Sequence, residues 1–381
     1  MATLTVLDPV FTDSEADAIV EIWHRHPAYH TSGTGRSKKD RVDLAPPFPR
    51  RRRPGGADLA VEAAPAPPVG PGARHLQGFA SELGQRADQA INIARTRGDR
   101  LGPRGRKGAR IGYFRESYAY SDEVFAPGIE LLLDHAGLAE AARHVHDRPV
   151  IVPNIVYANI LIPGQDLAIH TDVPEFRGVN RKVAPLWLLV VMHHSRLFEP
   201  WRMRVATAVN YVGRASGGGF VYYPDGPDGP LLEVVPHHNM AVVLDADSVL
   251  HGVAEVDGDD SFADALPPTR SKLRLVHAGD HRWALSMVGD PDRKVVTTLG
   301  SDELRFSVSW KAYCFADEAE HRAWWQHEDD LPPALVLERL VAELSCRGRL
   351  PGPDHGLDDA DLGRLMIDEF LDFPAAVVPS P

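Results

Sequence analysis

The stretch Asn159-Ile160-Leu161-Ile162-Pro163-Gly164-Gln165-Asp166-Leu167-Ala168-Ile169-His170-Thr171-Asp172 decides how the chain folds. Apolar residues run to a Pro-Gly turn, a second short apolar run follows, and it ends in His-x-Asp. Residues i and i+2 of a strand share a face, so His170 and Asp172 are placed to act together. A metal needs two ligands from one short segment in just this way. The triplet alone is weak: with 18 histidines and abundant aspartate, about one or two copies arise by chance. A second copy, His327-Glu328-Asp329, lies in a polar, helix-like stretch. Only the strand–turn–strand setting separates the two.

Outward from this segment, short apolar runs alternate with Gly, Pro and Asp turns: Ile151 to Ile162, Leu186 to Met192, Val205 to Val212, Gly219 to Tyr223, Leu231 to Val235, Met240 to Leu244, Leu273 to His277 and Leu304 to Tyr313. Evenly spaced short strands of this kind predict a sandwich or jelly roll. The flanks read differently. A strand at Thr3 to Leu7 precedes a helix over Ala16 to Trp23 with N-cap candidates at Thr12 to Glu15. Further helices are expected at Leu76 to Arg95 and Pro127 to His146, and, beyond the strands, at Leu335 to Leu344 and Leu362 to Phe370. Residues 33–72 and Arg97 to Arg110 are rich in Pro, Gly and basic side chains and read as a mobile loop or insertion.

The expected organisation is α+β. N-terminal strand and helices with a basic insertion occupy 1–147, a β core 148–315, and a helical extension 316–381. Composition sets bounds on function. With 44% hydrophobic and 25% charged residues the chain has ordinary globular balance, and its net charge of −12 argues against a nucleic-acid coat. The longest apolar run, Val183 to Met192, is about half of what spans a bilayer. The first residues carry no secretory pattern, so a cytoplasmic protein without a membrane partner is expected. Two cysteines, Cys314 and Cys346, build neither a disulfide framework nor a thiolate zinc site.

A third metal ligand must come from elsewhere, and His251, at the end of Val242 to Val253, is the best candidate; His237, His238 and His277 are rivals. His193 and His194 read as the end of an element. Two histidines and one carboxylate leave adjacent positions open on a metal, the arrangement that suits Fe(II) and O₂.

At this point the chain resembles the Fe(II)- and 2-oxoglutarate-dependent dioxygenases of the prolyl-hydroxylase-like and alkylation-repair-like group. The resemblance lies in Asn159 to Asp172, in Gly217-Gly218-Gly219-Phe220-Val221-Tyr222-Tyr223-Pro224, in Pro236 to Asp245 followed by His251-Gly252-Val253, and in Arg305-Phe306-Ser307-Val308-Ser309-Trp310. It implies a double-stranded β-helix, a jelly roll, as the core. It implies Fe(II) on His170, Asp172 and His251, with 2-oxoglutarate as cosubstrate held by Arg305 and Ser307, and by Asn159 and Tyr157. Arginine offers a carboxylate two parallel donors, and Arg305 and Ser307 share a strand face. Arg-x-Ser also occurs at Arg115 and Arg214, so position carries the assignment.

Two departures stand out. Residues 251 and 305 are 54 positions apart, so an insertion intervenes, and its Arg274 is a rival anchor. Leu161 replaces the aromatic hydroxyl of repair-type relatives. Asp172 leaves no vacant halide position. The resemblance implies oxidation, chiefly hydroxylation, of an unactivated C–H bond in an intracellular small molecule, with an amino acid or derivative in specialised biosynthesis the first choice. A prolyl-type protein hydroxylase is the alternative, and a β-barrel binding protein the non-enzymatic one. Arg177, Arg204, Asn210 and Tyr222 are the candidate substrate contacts.

Overall fold

The computed structural model describes residues 4–31, 113–121, 123–226, 229–258, 272–290, 294–350 and 356–371. The predicted basic insertion, the helix at Leu76 to Arg95, the Arg97 to Arg110 segment and most of the acidic stretch after Asp257 lie outside these. The described chain divides into two compact units, one built from residues up to 169 and from 205–314, the other from 170–204 and from 315 onward.

The first unit holds the strands. In chain order they are β1 (Leu4–Leu7), β2 (Tyr29–Thr31), β3 (Phe114–Tyr120), β4 (Glu123–Val124), β5 (Val150–Leu161), β6 (Leu167–His170), β7 (Val205–Tyr211), β8 (Phe220–Tyr223), β9 (Leu232–Val234), β10 (Met240–Leu244), β11 (Leu250–Val253), β12 (Leu273–Gly279), β13 (Arg282–Met287), β14 (Val295–Gly300) and β15 (Arg305–Phe315). They form two sheets. The larger has the order β1-β10-β7-β15-β5-β3-β2-β12-β13-β14, with β4 paired to β3; the smaller has the order β6-β11-β8-β9.

From β5 onward the chain crosses between the sheets. β5, β7, β10 and β15 enter the large sheet, while β6, β8, β9 and β11 make the small one. This alternation is the jelly roll that the sequence predicts. Alternating side chains then separate two cores. Tyr211, Met240, Val242 and Leu244 of the large sheet meet Phe220 of the small one. On the other face Phe306, Val308 and Trp310 of β15 pack with Ile19, Ile22 and Trp23 of helix α1 (Asp13–Arg25) and with Leu138, Ala141 and Ala142 of α3 (Ala136–His146). Full burial of each large apolar side chain there contributes about 1.5–3 kcal/mol.

Local chemistry explains the boundaries. Thr12 and Glu15 close a capping box at the start of α1, the two backbone N–H groups being satisfied reciprocally. The predicted helix over Pro127 to His146 is two: α2 (Glu130–Leu133) stops, and His135 caps α3 by accepting from the Leu138 N–H at 3.2 Å. The insertion between β11 and β15 holds β12, β13 and β14, the last two unforeseen in sequence. Asp280 and His281, with φ of 47° and 56°, form the two-residue turn whose twist suits a β12–β13 hairpin. Strands β1, β2 and β3, from the part of the chain before residue 148, join the large sheet as well.

The second unit is helical: α4 (Leu186–Ser195), α5 (Glu318–Gln326), α6 (Pro333–Cys346) and α7 (Asp359–Phe370). Here a prediction fails, because Leu186 to Met192 is helix, not strand. A continuous apolar run carries no period to distinguish the two. Burial on every side decides: Trp187 to Met192 are all buried with Leu340, Leu344 and Met366. His193 and His194 end this helix, and Trp324 packs against Phe315 and His321. No helix among the described residues is long and apolar enough to cross a membrane.

Candidate metal centre

Because β6 and β11 are neighbours in the small sheet, the residue that ends β6, His170, comes beside His251 of β11. Asp172 follows two residues later. Metal-ligating atoms of His170, Asp172 and His251 all lie within 4.8 Å of one another, the first two half-buried and His251 buried. It is the one such group among the described residues.

His251 is prepared for its role. Its Nδ1 lies 2.8 Å from the Val249 carbonyl oxygen, which only accepts, so Nδ1 carries the proton and Nε2 keeps its lone pair. The Phe220 ring stacks on the imidazole at 5.6 Å. Two imidazoles and a carboxylate form a donor set suited to Fe(II) with open positions. The rival histidines are engaged elsewhere. His237 Nε2 meets Asp8 at 2.9 Å, His238 Nδ1 the Val212 carbonyl at 2.9 Å, and His277 stacks on His24. In the second His-x-Asp, His327 pairs with Asp330 at 2.6 Å.

Along β15 and β5 the face of the large sheet that looks toward the small sheet is polar. Arg305 donates from Nε to the Gly218 carbonyl at 2.7 Å, from Nη1 to Ser307 Oγ at 3.4 Å and from Nη2 to Tyr211 Oη at 3.3 Å. It is only 4% exposed, and all three partners are neutral. Among the described residues no carboxylate pairs with it. Burial therefore pushes its pKa down, with Tyr211 acting against that shift, and burial pushes the Tyr211 phenol up, with Arg305 acting against it. Gly218 has φ +64°, and a Cβ there would stand 2.4 Å from Arg305 Cδ, so only glycine lets the backbone approach. Asn159 donates from Nδ2 to Ser309 Oγ at 3.0 Å, while its buried Oδ1 has no hydrogen-bond partner. Tyr157 is buried, its ring covered by the Arg115 guanidinium at 3.7 Å.

The structure thus brings Arg305, Ser307, Asn159 and Tyr157 onto one face. Rival Arg274 is on β12, separated from β15 by β5, β3 and β2, and its Nε donates to Ser286 Oγ at 3.0 Å.

The candidate substrate contacts fare unequally. Arg177 is buried rather than a loop-surface cation, its Nη2 2.9 Å from Asp329 and 2.5 Å from the Pro200 carbonyl, with Glu320 at 3.6 Å. Its charge is already compensated inside the helical unit. Arg204 pairs with Glu199 at 2.9 Å. Asn210 pairs in register with Val308, so it points away from the small sheet, opposite to Tyr211; its Nδ2 donates to the Val308 carbonyl at 2.9 Å. Tyr222 lies directly across from His251 in the β8–β11 pairing. Tyr211, Gly218 and Arg115 were not among the site residues expected from sequence, since nothing but strand pairing brings them to this face.

No family model matches the chain, and no curated protein matches it. Solved structures similar to it include a 2OG-Fe(II) oxygenase family oxidoreductase from Burkholderia pseudomallei, at 13% identity and TM-score 0.30, over 53% of this chain and 66% of that one. A Pseudomonas putida prolyl-4-hydroxylase is similar at 15% identity and TM-score 0.29, over 64% of this chain and 87% of that one. HygX from Streptomyces hygroscopicus, solved with nickel, 2-oxoglutarate and hygromycin B, is similar at 11% identity and TM-score 0.29, over 61% and 79%. The overlaps are partial; the strand order identifies the fold.

Proposed function

We propose that the protein is an Fe(II)- and 2-oxoglutarate-dependent oxygenase. One observation carries this reading: a two-histidine, one-carboxylate group stands in a jelly roll whose inner face holds a buried arginine with only neutral partners. Burying a cation without a counter-charge is costly, and an anionic ligand offsets that cost.

His170, Asp172 and His251 would hold Fe(II). Arg305, with Ser307 and Tyr211 beside it, would pair with the distal carboxylate of 2-oxoglutarate, and Asn159 Oδ1 supplies an acceptor still to be matched. Tyr157 walls the same face. When bound, iron with 2-oxoglutarate and O₂ supplies an oxidant strong enough to take hydrogen from an unactivated C–H bond. The chain's own residues orient the cosubstrate, keep His251 in the ligating tautomer and limit water between the sheets.

The favoured substrate is a small molecule of the amino-acid type, handled inside the cell. Hydroxylation of a protein side chain is the alternative, and a non-catalytic binding role the third.

The test is anaerobic binding of Fe(II) plus 2-oxoglutarate, followed by the weak visible metal-to-ligand charge-transfer band. The band is expected in wild type, absent in His170→Ala and weakened in Arg305→Ala. Folded, iron-loaded wild type without a band would overturn the oxygenase reading.

A further inference from the structure

The inserted strands β12, β13 and β14 extend the large sheet past β2. Leu273 and Leu275 of β12, with Trp283 and Leu285 of β13, enter the core. Alternation therefore turns Arg274 and Ser286 to the opposite face. One row of side chains joins them to the cosubstrate face. Asn159 pairs in register with Arg115, Arg115 with His30, His30 with Arg274, and Arg274 with Ser286. Residues paired in this way share a face. Three strand spacings set Arg274 roughly 14 Å from Asn159 along the row.

Within the row, Arg115 is stacked on Tyr157, and His30 Nδ1 meets Glu116 at 2.7 Å. Arg274 differs. It is half-buried, and its one partner among the described residues is Ser286, which accepts from Nε at 3.0 Å and is itself 4% exposed. That bond fixes the guanidinium plane and leaves the Nη1–Nη2 edge, two parallel donors that match a carboxylate or a phosphate. Strands β12, β13 and β14 contain two arginines and no Asp or Glu, in a chain whose net charge is −12.

We infer that Arg274, held by Ser286, binds a carboxylate or phosphate group at the end of the substrate remote from the metal, so that the substrate is an extended anion. This rests on the oxygenase reading, which places the reacting end at His170, Asp172 and His251. Arg305 takes the cosubstrate, and the insertion supplies a second cation on the same face for the second ligand.

The experiment treats the full chain briefly with phenylglyoxal, which condenses with accessible guanidinium groups, and locates the adducts by mass spectrometry. Arg274 should react in the unliganded chain and be slowed by roughly fivefold or more at saturating inorganic phosphate or acetate. Exposed Arg196, at the end of α4, should react at an unchanged rate. The stronger protector tells a phosphate from a carboxylate group. An Arg274 that is unreactive in the unliganded chain, unprotected by both anions, or protected no more than Arg196 overturns the subsite and leaves the oxygenase reading standing. Protection of Arg274 by Fe(II) with a single equivalent of 2-oxoglutarate would make it the cosubstrate anchor, overturning the subsite together with the role given to Arg305.

Discussion

Along β15, Arg305, Ser307 and Ser309 look between the two sheets, whereas Phe306, Val308 and Trp310 look into the core under α1 and α3. All six are buried. The outer row is apolar, and Trp310 satisfies its single donor on the Leu133 carbonyl at 3.1 Å. The inner row is polar and includes a cation with only neutral partners. One strand therefore packs the core with one face and, in the proposed function, meets the cosubstrate with the other. Arg177 provides the contrast within the second unit: a buried arginine held among Glu320 and Asp329 is already charge-paired.

This contrast predicts a separation of effects. Asp172→Ala should weaken Fe(II) binding by roughly a hundredfold or more with little change in melting temperature, as followed by metal titration. Trp310→Ala, on the outer face, should cost about 3–5 kcal/mol in denaturant unfolding. If it instead altered ligand affinity at unchanged stability, the division between faces would be wrong. Arg305→Met should lose roughly 2–5 kcal/mol of 2-oxoglutarate affinity by calorimetry while leaving the fold as stable as wild type or more so. Marked destabilisation would make Arg305 a structural cation like Arg177.

Ser307→Ala should cost about 0.5–1.5 kcal/mol of the same affinity. The smallest effect concerns Cys314, on the outer face, whose thiol is pushed up to about 12, chiefly by burial. Its folded pKa lies above its unfolded value. Its contribution to stability is therefore complete below the unfolded pKa and fades as pH rises through about 9 toward about 12. In native protein a thiol-reactive disulfide should modify exposed Cys346 and spare Cys314, and unfolding should expose both.

The jelly roll was legible because its apolar runs recur between turn residues. His170 and Asp172 were legible because two ligands from one strand end need only local spacing. Arg305 and Ser307 were legible through their place on the last strand. Asn210 was misplaced because its pocket-facing role turned on one residue of strand register, and alternation alone does not say which face looks inward. Arg177 was misplaced because its partners, Glu320 and Asp329, lie far along the chain. Leu186 to Met192 was misassigned because a run apolar on all sides has no period.

By itself the sequence determined the class of fold, the local His-x-Asp pair and the strand carrying the candidate anchor, since these depend on periodicity, turn chemistry and short spacing. Tertiary structure alone decided that His251 completes the group, that Arg305 and not Arg274 lies on the strand next to that of Asn159, and that Arg177 is already paired. Those outcomes depend on which strands become neighbours and which buried charges find a partner, and both are settled only when distant segments pack.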